Sequence, residues 1–125
     1  FVRTLLTEHM QESTRLSSYV MDEFERKLDV PRVNNLEEPN YLKFLSKKVK
    51  DGIYARNLRL CRLLNTPICY GESMLQDNEK ELIALSKNDF RKGIIAPRLI
   101  AVTNAYYVGI MRYVIDRKKQ MLANW

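Results

Sequence analysis

The segment from Pro97 to Leu122 constrains the fold most, because its central stretch, 99–115, carries a single charge, Arg112. Apolar and aromatic residues fall on almost every side of a helix drawn through it, and a helix of that kind must be covered on most sides. Pro97 suits the first position of a helix, and three cations near the end suit its last turns. The segment therefore predicts a central helix enclosed by its neighbours.

Apolar periodicity elsewhere predicts four more helices, which are amphipathic. They cover about 2–28, 40–51, 53–65 and 73–86. Gly52 is suited to end the second helix, and Asn65, Thr66 and Pro67 the third. Mostly short loops join these segments, so the sequence predicts an all-α fold: a compact bundle of about five helices around the hydrophobic C-terminal helix, in a single domain over 1–125.

Several smaller features carry structural predictions. Ser13 and Ser17 interrupt the apolar stripe of the first helix, and their small size favours a close helix crossing there. Asn104 lies within the central helix, where we expect a buried amide with satisfied hydrogen bonds. We expect Phe90 to anchor a turn at 88–93, and the indole of Trp125 to pack against the bundle. The buried positions expected in the fourth helix are Leu82, Ile83 and Leu85.

The first residues, the apolar run 99–115 and the cysteines predict the setting in which this chain works: its parent protein, its relation to membranes and its location in the cell. It opens in an apolar pattern without an initiator methionine or a secretory signal, so we expect a domain of a longer protein. The apolar run 99–115 is short for a membrane span and contains Arg112 and three tyrosines, so we predict no transmembrane helix. Two cysteines without a glycosylation sequon favour an intracellular location, either nuclear or cytoplasmic.

Residues that could support catalysis are sparse. His9 is the only histidine, and the two cysteines do not have the spacing of a zinc site. The acidic residues Asp77, Glu79 and Glu81 fall in the first turn of a predicted helix, where they complement its dipole. No phosphate-binding loop, dinucleotide fingerprint or nucleophile elbow is present. We therefore predict no catalytic, cofactor-binding or metal-binding residues, and a protein that is not an enzyme.

Positive charge is concentrated in two segments of the chain, whose formal net charge is +6. Residues 31–65 hold eight basic and three acidic residues, and residues 97–125 hold five and one. Such a surface attracts the phosphates of nucleic acid or an acidic partner, although solvated helix faces have similar compositions. The candidate contacts are Lys47, Lys48, Arg56, Arg59 and Arg62.

Two functions are consistent with this sequence. The first is a non-catalytic helical protein–protein interaction domain, acting in assembly or as a scaffold within an intracellular complex. Four amphipathic helices are few to cover the central helix, and residual exposed surface would dock another subunit, another helix or a second copy. The alternative is a nucleic-acid-binding helical domain that uses the basic face of residues 43–62 without sequence specificity.

Overall fold

The computed structural model describes residues 8–33, 45–71 and 78–125. Over these residues the chain forms four helices and a two-stranded antiparallel sheet, so the prediction of an all-α bundle of about five helices was wrong. The elements in chain order are α1 (Glu8–Leu28), β1 (Ser46–Lys50), β2 (Ile53–Arg56), α2 (Arg59–Leu63), α3 (Glu79–Ser86), a 3₁₀ helix (Phe90–Lys92) and α4 (Pro97–Ala123).

A β-hairpin replaces the end of the predicted helix 40–51 and the start of the predicted helix 53–65. Asp51 and Gly52 form its turn, and Gly52 has a φ of +72°. An Asp-Gly pair at a tight turn between two strands is a strong hairpin signal, because glycine adopts positive φ without a steric penalty. The sequence analysis assigned Gly52 to a helix end, a position that requires the same left-handed conformation. Residues 40–44 of that predicted helix lie outside the described residues.

The two strands have an irregular register. Ser46 lies opposite Arg56 and Lys48 opposite Tyr54, and the register shifts between Lys48 and Lys50. Ile53 is the buried residue of the hairpin. The strands therefore divide the basic residues of this region between two faces, where a helix would have placed them on one.

Helices α1 and α4 form an antiparallel pair that holds the main core. The buried apolar cluster consists of Val20, Phe24 and Leu28 from α1 with Val102 and Ala105 from α4. The ring of Phe24 meets Tyr106 edge-to-face, with centroids 5.0 Å apart. The sequence correctly predicted the start of α4 at Pro97 and the buried positions Val20, Phe24 and Leu28 of the α1 stripe, whose first residues lie outside the described part of the chain.

The closest approach of the pair is at Gly109. A Cβ added there would lie 2.7 Å from the Cα of Val20 and 3.0 Å from its backbone nitrogen. The close crossing expected for α1 thus exists, but it lies at Val20 rather than at the two serines. Ser13 instead accepts a hydrogen bond from the backbone N–H of Ile68, at 2.9 Å, and so holds the 64–71 connector against α1.

Over the part of the chain that the structure describes, only one side of α4 is buried, so the prediction of an enclosed central helix was wrong. Its buried residues are Val102, Ala105, Gly109 and Tyr113. Asn104 is exposed, and so is Trp125, at the end of the chain. Among the elements of 8–33, 45–71 and 78–125, α1 is the one long helix that packs on α4, and one helix covers only one side of another.

The short elements before α4 are also less buried than predicted. Helix α3 contains no buried residue, and Leu82 and Ile83 are about half exposed. Its N-cap is Asn78, whose side chain accepts a hydrogen bond from the N–H of Glu81. The first residues of the helix predicted over 73–86, 73–77, lie outside the described residues. The predicted turn at 88–93 is confirmed as a 3₁₀ helix, although the ring of Phe90 is exposed. These residues add little to the core.

We predict that Gly109→Ala lowers the free energy of unfolding by about 1–3 kcal/mol, because the added methyl group would clash with the backbone of Val20. The clash outweighs the gain of about 1 kcal/mol that alanine normally brings to a helix. Urea denaturation followed by circular dichroism measures the change. Asn104→Ala, at an exposed position of the same helix, is the control and should not destabilise the fold. A more stable Gly109→Ala variant would contradict the close crossing.

Candidate protein-docking surface

The side of α4 that faces away from α1 is a long exposed apolar surface, which we call the outer face. At 100° per residue, its members lie within about 80° of a line through Ile100, and the buried residues of α4 lie on the opposite side. Their exposed fractions run from 39% at Met111 to 67% at Leu122, and Trp125 is fully exposed. The outer face consists of Ile100, Tyr107, Ile110, Met111, Val114, Ile115, Met121 and Leu122, and it continues into Trp125, which follows the end of α4 at Ala123.

Few polar residues interrupt this face. Thr103 bonds to its own helix, its hydroxyl donating to the carbonyl of Leu99 at 2.9 Å, so it presents little polarity outward. Asn104 and Lys118 are exposed and fall within the same arc. The outer face is therefore a continuous apolar strip with one amide and one ammonium group.

Ion pairs with α1 engage three charged residues of α4 that lie outside the outer face. Arg112 binds Glu23 at 2.6 Å, and Asp116 binds Arg15 at 2.6 Å. The next residue, Arg117, is 2.7 Å from a carboxylate oxygen of Glu12. These pairs connect the two helices along their interface, so α4 cannot rotate its apolar side inward without breaking them.

Glu23 is the most buried charged group of the described residues, with an exposed fraction of 1%. Its carboxylate oxygens lie 2.6 Å from guanidinium nitrogens of Arg112 and of Arg26. The Nζ atom of Lys27 is 3.5 Å from the same carboxylate. Burial raises the pKa of Glu23, but the hydrogen bonds and charges of these cations outweigh burial and hold the pKa below its ordinary value of 4.5. The carboxylate therefore stays ionised in the folded protein at neutral pH.

Glu12 occupies a similar position at the other end of the interface. It accepts a hydrogen bond of 2.8 Å from the hydroxyl of Tyr113 in addition to its pair with Arg117. Burial raises its pKa, and these two hydrogen bonds lower it by more, so the pKa lies below 4.5. The α1–α4 interface thus contains two carboxylates, Glu23 and Glu12, whose protonation at low pH would weaken their ion pairs.

The structure does not bring the five predicted phosphate contacts onto one surface. On β1, Lys47 and Lys48 point to opposite faces of the sheet, because side chains alternate along a strand. Lys48 shares a face with Arg56 but already binds Asp51 at 2.8 Å, and Arg56 also has interactions of its own. Arg59 is exposed at the start of α2, and the side chain of Arg62 lies outside the described residues.

One cavity borders the α1–α4 interface, with a volume of about 300 Å³. Its charged groups are already engaged: Arg15 with Asp116, Asp22 with Arg32, and Lys50 with the hydroxyl of Ser18. Elsewhere, the Nε2 atom of His9 lies 2.8 Å from the amide oxygen of Asn65.

Among the described residues, no group of three or more His, Cys, Asp or Glu side chains is placed to hold a metal ion. Over the same residues, every helix is too short or too polar to cross a membrane.

We predict that the chain loses stability as the pH falls below about 4.5, the ordinary pKa of a glutamic acid. Glu23 and Glu12 have lower pKa values when folded, so the unfolded state takes up protons first and stability is lost as the pH approaches the folded values. Urea unfolding between about pH 3 and 7 measures the slope. Glu23→Gln should reduce the dependence of the free energy of unfolding on pH. Glu79→Gln, at the exposed start of α3, should change this dependence less. Equal slopes in wild type and Glu23→Gln would contradict this assignment.

In comparisons with known proteins, no protein family, curated protein or solved structure matches this chain.

Proposed function

We propose that this chain is a non-catalytic helical protein–protein interaction domain of an intracellular complex, and that it binds through the outer face of α4. The observation that supports this most directly is the continuous apolar strip along that helix, from Ile100 to Leu122. Exposed apolar patches of several hundred Å² are rare on monomeric proteins and mark interaction sites. A partner helix that covers the strip would provide the missing apolar neighbour of α4.

The residue types of the outer face suit binding. Tyrosine, tryptophan and methionine are enriched in the centres of protein interfaces, and Tyr107, Met111 and Trp125 supply all three. Fully burying one Ile, Val or Met side chain contributes about 1.5–3 kcal/mol, and these side chains are about half exposed in the described structure. Several such side chains covered together provide a driving force that does not depend on charge.

The fixed position of α4 against α1 also supports the proposal. The outer face lies on one continuous helix, and the opposite side of that helix is fixed by the Gly109 crossing and by the ion pair of Arg112 with Glu23. A preorganised surface loses little conformational entropy on binding. The outer face therefore has the geometry of a helix-docking surface.

An intracellular location is supported by the thiols. Cys61 and Cys69 are both free and half-buried, which is typical of proteins in a reducing compartment. Burial raises the pKa of Cys69 and so keeps it in the unreactive thiol form.

The alternative, nucleic-acid binding through residues 43–62, has less support in the geometry. Its prediction depended on Arg56, Arg59 and Arg62 forming one side of a long helix, and this stretch is a strand followed by a five-residue helix. The alternative remains a distinct outcome of the following experiment.

We predict that the chain associates with protein, either itself or another subunit, in a way that survives the increase from about 50 to 200 mM salt. Met111→Glu should abolish this association, because it places a charge in the middle of the outer face. The matched variant Arg56→Glu, Arg59→Glu, Arg62→Glu should leave it nearly unchanged. Retention on the immobilised full chain, and fluorescence anisotropy with labelled oligonucleotides, measure the two kinds of binding.

Oligonucleotide binding that falls linearly with the logarithm of salt, and that only the triple arginine variant abolishes, would establish the alternative instead. Protein association that Met111→Glu leaves intact would also contradict the proposal.

A further inference from the structure

The 64–71 connector lies along α1 and is held there mainly by side chains; we call this segment the latch. It has neither helix nor strand structure, and its residues are exposed or half-buried. No backbone–backbone hydrogen bond joins 65–71 to another described residue. Pro67 contributes to this, because its nitrogen carries no hydrogen and the residue before a proline is kept out of helical conformation. The position of the latch therefore depends on the surface under it.

That surface includes the two serines that interrupt the apolar stripe of α1. Ser13 and Ser17 are four residues apart, so they lie one above the other on one side of the helix. The hydroxyl of Ser13 accepts a hydrogen bond of 2.9 Å from the N–H of Ile68. The hydroxyl of Ser17 is hydrogen-bonded to the thiol of Cys69, which also packs against the edge of the apolar core. The polar positions of the stripe are thus contacts of the latch.

Two further contacts hold the ends of the latch. Near its start, the amide oxygen of Asn65 is 2.8 Å from Nε2 of His9, which lies one turn before the serines on the same side of α1. At its end, a Cβ added to Gly71 would overlap the hydroxyl oxygen of Tyr106 and lie 2.6 Å from the ring carbon that bears it. The ring of Tyr106 is itself packed on Phe24. The latch therefore reaches from α1 to the edge of α4.

We infer that the latch opens and closes on α1 while the α1–α4 pair stays folded. The latch is held by single hydrogen bonds at exposed or half-buried positions, and each of these contributes modestly because water can replace the lost partner. The α1–α4 pair is held by an apolar cluster whose buried residues all come from the two helices, and by the crossing at Gly109. Segments with few buried contacts and exposed hydrogen bonds open at a lower free energy than the core.

Opening of the latch uncovers one side of the α1–α4 pair. The hydroxyls of Ser13 and Ser17 and the ring edge of Tyr106 then face solvent, and Cys69 leaves the edge of the core. At 100° per residue, Tyr106 lies about 120° around α4 from Ile100, so this side is distinct from the outer face. The latch thus regulates access to a second surface, and binding through the outer face does not require it to open.

Reaction of Cys69 with iodoacetamide, followed by mass spectrometry, measures the opening in the full chain with Cys61→Ser. Ser13→Ala should raise the rate of this reaction about fivefold, because it removes one hydrogen bond of the latch. Gly71→Ala should raise it at least about tenfold, because the added methyl group displaces the end of the latch from Tyr106. Circular dichroism should show unchanged helix content in both variants.

Ser86→Ala is the matched control, because the hydroxyl of Ser86 donates to the carbonyl of Ile83 at an exposed position of α3. This variant should react at the rate of the parent. At low urea concentrations the reaction rate of the parent should also change little, although the free energy of unfolding falls steadily. Local opening exposes little surface, and the effect of urea scales with the surface exposed.

Three results would overturn the inference. The first is equal reaction rates in Ser13→Ala and Ser86→Ala. The second is a parent whose reaction rate rises with urea as steeply as global unfolding, and the third is a parent that reacts as fast in buffer as when unfolded. Should Gly71→Ala not fold, Ser13→Ala and the urea dependence still separate local from global opening.

Discussion

The crossing of α1 and α4 at Gly109 is the contact on which the rest of the described structure depends. Because Gly109 has no side chain, the backbone of α4 comes within contact distance of Val20. This approach lets Phe24 and Tyr106 meet edge-to-face one turn away. It also fixes which residues of α4 face α1 and, as a consequence, which residues face away from it.

The ion pairs along the same interface complete this arrangement. The cations of α4 that face α1 are neutralised by carboxylates of α1, with Glu23 buried among three positive groups. A buried charge is destabilising when its partners are removed. The ion pairs of Glu23 therefore favour one orientation of α4 about its own axis over other orientations that would bury a similar apolar area. The outer face is left apolar by the same pairing. Core formation and the presentation of a docking surface thus have one physical origin.

The Asp51-Gly52 turn of the hairpin is the reason why the predicted basic face of residues 43–62 does not form. The sequence Lys47-Lys48-Val49-Lys50 has a hydrophobic pattern too short to separate a helix from a strand, and Gly52 suits the end of either. The Asp51-Gly52 turn was available as a signal for the strand and was outweighed by the helical pattern around it. Once the turn forms, the basic residues alternate between two faces of the sheet. Side chains repeat every 3.6 residues in a helix and every two residues in a strand. The basic residues that a helix would have placed on one phosphate-binding face therefore lie on two faces of the hairpin.

The sequence by itself determined the two long helices, the stripe of α1 that becomes core, and the start of α4 at Pro97, because these depend on periodicity and on local stop and start signals. It also indicated that the last helix has more apolar surface than its neighbours can cover. Only the tertiary structure decided which side of α4 is covered, since that depends on the position of Gly109 against Val20 and on the partners of Arg112. Apolar residues on all sides of a helix specify a need for neighbours, but not where those neighbours are or whether they belong to the same chain.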